Sequence, residues 1–180
     1  MHTPTRADAI RDQLAQELRG SALVVEDVRI QPAGKRRLVR VTVARDVEEL
    51  LCSDPTHPAD PVGPQQPVAP PSLDEVATAS RTVAEILERS DLMGAAPYTL
   101  EVSSPGADQP LSTPAQFRRN VGRLLTLTYA DGTSTSARLL AAATQGVRLS
   151  TAPQELVDYD RVERARVEIE FSRPDSGEGN

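Results

Sequence analysis

Apolar residues near the start of the chain recur at three- and four-residue steps. Ala7, Ile10, Leu14 and Leu18 form one stripe, the spacing of a helix that buries one face. Thr3 and Pro4 are suited to open that helix and Gly20 to stop it. The period then changes to two. Over 23–31, Val24, Glu26, Val28 and Ile30 share one face while Val25, Asp27 and Arg29 share the other; over 38–44, Leu38 and Arg40 alternate against Val39, Val41 and Val43. Two such runs about residues 32–37 predict a hairpin with one apolar face. Helical spacing returns over 72–90, where Ser72 and Glu75 have the spacing of a capping box and Val76, Val83, Ile86 and Leu87 point inward. Residues 98–102, aromatic and branched with alternating polarity, predict a third strand.

The second half of the chain is richer in strands. Thr113 and Gln116 form another capping box, opening a short helix with Phe117 and Val121 on its apolar side. Strands are predicted over 121–129, 135–142, 146–150, 153–157 and 162–171, with Asp131-Gly132 as the first hairpin turn and a single helical turn over 158–161. Five short strands so close together suggest a small closed barrel of the Sm-like or SH3-like kind. The expected fold is therefore α+β with two domains: an N-terminal α-β-β-α-β layer over 1–103, a hinge at 104–112 and a barrel over 113–171.

Two stretches lack the apolar content for packing. Seven of the fifteen prolines fall between Pro55 and Pro71, where Val62 and Val68 are the only branched apolar residues. Residues 46–71 therefore read as a disordered insertion, because so little apolar surface cannot offset the entropy of ordering. Residues 172–180, polar with Pro174, Gly177 and Gly179, read as a disordered tail.

Composition narrows the chemistry. With 3% aromatics and no Trp, the cores must be built from Leu, Val, Ile and Ala. A net charge of −6 argues against binding driven mainly by phosphate neutralisation and suits a basic protein partner. The basic residues singled out as candidates are Lys35, Arg36 and Arg37 at the hairpin tip and Arg118, Arg119 and Arg123 after the hinge. Both groups are candidate RNA or partner contacts; each also reads as ordinary surface charge. Cys52 is the lone cysteine and His2 and His57 stand far apart, so no metal centre, cofactor or His-based catalytic site is expected. No run approaches the length of a membrane span, and the chain reads as soluble, cytoplasmic and monomeric.

The stretch from Tyr98 to Leu111 carries the most information. A strand runs into a loop bracketed by Pro105 and Pro110, with Gly106 after Pro105 able to take a positive φ. Ser103 and Ser104 lack a base to activate them, and Glu101 on the strand reads as a surface residue. The run Tyr98-Thr-Leu-Glu-Val-Ser-Ser-Pro-Gly106, followed by Asp108 and Pro110-Leu111, closely resembles the signature of the bacterial ribosome maturation factor RimP family. One departure is Gln109, where the family usually has Arg. The resemblance implies helices on one face of a three-stranded sheet in the first domain. It also implies a non-enzymatic factor for the maturing small (30S) ribosomal subunit, touching a basic ribosomal protein and adjacent ribosomal RNA. A general RNA-binding module, using the hairpin tip and the barrel, is the alternative. Within the signature, Tyr98, Leu100 and Val102 are expected to pack inward and Ser103, Ser104 and Asp108 to hydrogen-bond the loop. Pro105, Gly106 and Pro110 are expected to fix its path, and Leu111 to anchor the entry to the second domain.

Overall fold

A computed structural model describes residues 5–48, 65–94, 96–106 and 109–170. Of these, 5–48 and 68–106 group into one compact unit, and 65–67 with 109–170 into another. No helix among the described residues is long and apolar enough to cross a membrane.

In the first unit, helix α1 spans Arg6–Glu17 and strand β1 Leu23–Ala33. Strand β2 spans Arg36–Arg45, helix α2 Leu73–Arg89 and strand β3 Tyr98–Ser103. The first helix starts later than its composition suggests. Thr5 is the N-cap: its hydroxyl accepts from the Asp8 N–H, and the Asp8 carboxylate reaches back to the Thr5 N–H at 2.9 Å. A reciprocal cap satisfies two otherwise orphaned donors, which a Thr3–Pro4 start would forgo. The Ser72–Glu75 box forms as its sequence predicts.

The three strands lie in the order β1-β2-β3, with β1 antiparallel and β3 parallel to β2. A parallel partner requires a crossover, and α2 provides it. The core joins Ile10 and Leu14 from α1, Val39 and Val41 from β2, and Val83 and Ile86 from α2. This is the α-β-β-α-β order expected from periodicity.

In the second unit, helix α3 spans Pro114–Arg119, β4 Leu124–Tyr129 and β5 Ser134–Ala142. Strands β6, β7 and β8 follow at Gly146–Leu149, Ala152–Asp158 and Val162–Val167. Their order is β7-β6-β5-β4-β8, with register shifts at the pairings of β4 with β8, β5 with β6 and β6 with β7. Such bulges increase local twist and bend a sheet. The described residues form no closed barrel, however: β7 and β8 are the two ends of the order, and no pairing joins them. The outer side of β8 is met by Leu111, whose N–H donates to the Ala165 carbonyl at 2.8 Å. The core gathers Phe117, Leu125, Leu127, Leu139, Val147 and Leu149.

Of the stretch read as a disordered insertion, residues 49–64 lie outside the described residues, as does 171–180, which includes the tail. Residues 65–67 take defined places on the second unit. The Gln65 N–H donates to the Leu140 carbonyl at 2.9 Å, and its side-chain oxygen accepts from the Ala142 N–H at 3.1 Å. Gln65 thereby satisfies β5 backbone groups beyond the reach of β4, a role invisible in composition.

Candidate functional site

The signature strand is β3. Its register sets Tyr98, Leu100 and Val102 opposite Arg37, Val39 and Val41 of β2. All three pack against the first core. Burial, and secondarily the charge of Glu88, pushes the Tyr98 phenol above its ordinary pKa. Period-two alternation turns Thr99, Glu101 and Ser103 the other way, and they are exposed. Glu101 accepts from Arg40 Nε and Nη2 at 3.0 and 2.8 Å. An exposed pair of this kind contributes about 0–1 kcal/mol.

The Ser103 and Ser104 side chains are exposed and make no hydrogen bond among the described residues. The loop-bonding role expected of them is therefore not what holds the loop. Asp108 lies outside the described residues. Pro105 is half-buried and Gly106 exposed. Gly106 is not among the glycines with positive φ, and a β-carbon built on it meets nothing within 4 Å. The left-handed conformation expected after Pro105 is thus absent. Pro110 already restricts the chain, and Leu111 follows, 9% exposed in the second core. Gln109, where the family usually has Arg, carries a buried side-chain oxygen with no partner among the described residues.

The basic candidates separate once the fold is known. Gly34, with φ 61°, and Lys35 form a two-residue turn between Ala33 and Arg36. Lys35 and Arg36 are exposed at that tip. Arg37 instead turns inward, its Nη1 donating to the Met93 carbonyl at 3.0 Å, which ties β2 to the 3-10 turn at Asp91–Met93. In the second unit Arg118 is only 6% exposed and donates from Nη1 to the Gln66 carbonyl at 3.0 Å. Desolvation lowers its pKa. Arg119 is half-buried, while Arg123 is exposed. Sequence reading passed over Arg164 and Arg166, both exposed on β8 about the buried Ala165. Their alternation with Ala165 was the available signal.

The best-held carboxylate of the first unit is Glu75. Arg45 grips it with Nη1 to Oε1 at 2.7 Å and Nη2 to Oε2 at 2.9 Å. Those bonds, with the Ser72 cap, bring its pKa down from 4.5 to about 2. Because the folded value lies below the ordinary one, the stabilisation is present above pH 4.5 and lost as pH falls towards 2. Glu75→Gln is accordingly expected to flatten the pH dependence of unfolding in that window. Carboxyl NMR titration is expected to place the Glu75 midpoint near 2; a midpoint at the ordinary 4.5 would show the grip to be ineffective.

Among the described residues no group of three His, Cys, Asp or Glu is placed to hold a metal ion. His2, His57 and Cys52 lie outside those residues. The described surface offers exposed cations: Lys35 and Arg36 at the hairpin tip and Arg123, Arg164 and Arg166 on the second unit.

Comparison with known proteins agrees with the signature. A family model described as the RimP N-terminal domain matches residues 62–108. A protein of Kineococcus radiotolerans named ribosome maturation factor RimP is 37% identical over 171 residues, covering 86% of this chain and 73% of that protein. Proteins of the same name from Frankia casuarinae and a Parafrankia species are 34% and 33% identical. They cover 91% and 97% of this chain, which spans 59% and 61% of their respective lengths.

Proposed function

The chain belongs to the RimP family of ribosome maturation factors, and on that premise we propose that it is a non-enzymatic assembly factor that binds the maturing small (30S) ribosomal subunit. The observation that carries the reading is an alignment spanning 86–97% of the chain, so that both units take part in the likeness. The partner is a basic small-subunit ribosomal protein together with adjacent ribosomal RNA. A chain of net charge −6 steers towards a basic protein through complementary potential, which raises the on-rate more than the affinity. Two linked units that each bind weakly gain avidity and still release, as a transient factor must. The bent five-stranded sheet is read as an opened relative of the Sm-like or SH3-like barrel. The protein acts in the cytoplasm as a monomer.

Sedimentation with purified subunits tests the reading. The full chain is expected to travel with small subunits and to be released as salt rises, while large subunits leave it near the top of the gradient. Equal recovery with both subunits, or with neither, would refute it.

A further inference from the structure

At the tip of the β1–β2 hairpin lies an open cleft of about 400 Å³, whose lining includes Ile30, Gln31, Pro32, Lys35 and Arg36 of the hairpin and Ala96 before β3. We propose that this cleft receives the sugar-phosphate backbone of single-stranded RNA, with Lys35 and Arg36 as its two phosphate-binding cations. The proposal deepens the ribosomal reading and rests on it for biological context.

The cleft is chemically one-sided. No carboxylate lines it, and neither Lys35 nor Arg36 has an ion-pair or hydrogen-bond partner through its side chain among the described residues. Arg37 also lines the cleft, but its Nη1 is taken up by the Met93 carbonyl. Asp27 is the nearest acidic residue of the hairpin in an ion pair, and Arg29 holds it at 2.6 Å. It lies six residues down β1 from Ala33, roughly 20 Å at about 3.3 Å per residue. Charges at that distance are largely screened, since the Debye length is about 8 Å at physiological salt. Asp91, exposed at the start of the turn that takes Arg37, does not line the cleft. Glu88, whose charge reaches Tyr98 opposite Arg37, is likewise absent from the lining, so no acidic side chain shares the cleft with Lys35 and Arg36.

The other lining groups define how RNA is held. Ile30, Pro32 and Ala96 present aliphatic surface suited to a ribose edge, and Gln31 supplies a neutral amide. No aromatic ring lines the cleft, so base stacking does not contribute. Recognition is thus by charge and shape, indifferent to base identity, and weak enough for a transient contact.

The test is fluorescence anisotropy of a labelled oligouridylate of about 12 nucleotides with the full chain, from about 50 to 200 mM salt. Lys35→Gln/Arg36→Gln removes the two cations at an exposed turn. Arg6→Gln/Arg19→Gln removes the same charge from the first residue of α1 and from the turn that follows the helix. The tip variant is expected to weaken binding about tenfold at low salt and to reduce the slope of log K against log salt by about 1.4, near 0.7 per lost phosphate contact. The α1 variant is expected to stay within twofold of wild type. Absence of wild-type binding, a tip variant within twofold of wild type, or equal losses in both variants would overturn the proposal. Sedimentation separates the two readings. RNA binding lost at the tip with no recovery of small subunits by wild type removes only the ribosomal reading. Small-subunit recovery with RNA binding indifferent to the tip removes only the cleft.

Discussion

Gly146→Ala is expected to destabilise the second unit by about 2–4 kcal/mol, whereas Gly106→Ala is expected to stay within about 0.5 kcal/mol of wild type. The contrast reverses the order that the sequence suggests, since Gly106 sits in the signature and Gly146 merely begins a strand. A β-carbon at Gly146 would stand 2.4 Å from the Val157 carbonyl oxygen and 2.9 Å from its carbon. Both are backbone atoms of a paired strand, with Gly146 opposite Asp158 and Val147 opposite Val157. Relief therefore requires β6 and β7 to separate, and cannot come from rotating a side chain. At Gly106 the added carbon meets open space and the backbone lies outside the left-handed region. For a unit of this size each kcal/mol corresponds to about 4–8 °C in Tm. Thermal unfolding of the two variants decides the matter. A Gly146→Ala protein melting with wild type would show that the strands part without cost.

Phe117→Ala is expected to lose about 3–5 kcal/mol, the range for deleting a buried aromatic ring. Phe117 is 2% exposed and its ring lies 5.1 Å from that of Tyr159 at 43°. That tilted geometry adds to simple burial, since offset ring pairs contribute about 0.5–1.5 kcal/mol beyond their area. Tyr159 is held independently by its hydroxyl, which donates to the Ala143 carbonyl at 2.9 Å. Swinging that ring into the gap would break its hydroxyl hydrogen bond to Ala143. Denaturant midpoints for Phe117→Ala and Phe117→Leu test this. Leu is expected to fall between Ala and wild type; equal midpoints for all three proteins would show that the ring pair does not hold α3 to the sheet.

Features that depend on neighbours in sequence were legible before the fold was known. The Ser72–Glu75 and Thr113–Gln116 boxes form because their partners are three residues apart. The Asp131-Gly132 turn forms because Gly132 takes φ 82° and Asp131 accepts from Thr133. Alternation in β1, β2 and β3 was equally clear, since a period of two follows from the strand itself. The signature, too, is a local pattern, and it identified the family without any knowledge of packing.

The candidate site was less legible because charge and burial are settled by distant partners. Lys35, Arg36 and Arg37 are indistinguishable as a run of basic residues; only the Met93 carbonyl, 56 positions away, withdraws Arg37 from the tip. Arg118 lies on a helix turn that read as solvent-facing, yet Gln66, from a proline-rich stretch, takes its Nη1 hydrogen bond. Arg148 is 4% exposed with Nε and Nη2 unpartnered, which no spacing rule foretold.

By itself, then, the sequence determined the main elements, their order, the capping boxes of α2 and α3 and the family, all consequences of interactions within a few residues. Tertiary structure alone decided which glycine is irreplaceable and which arginines remain free. It also left the five-stranded sheet open between β7 and β8 and seated Gln65 on the edge of β5. Each of these depends on the approach of groups far apart in the chain, where a carbonyl or a backbone atom a few ångströms away outweighs any local preference.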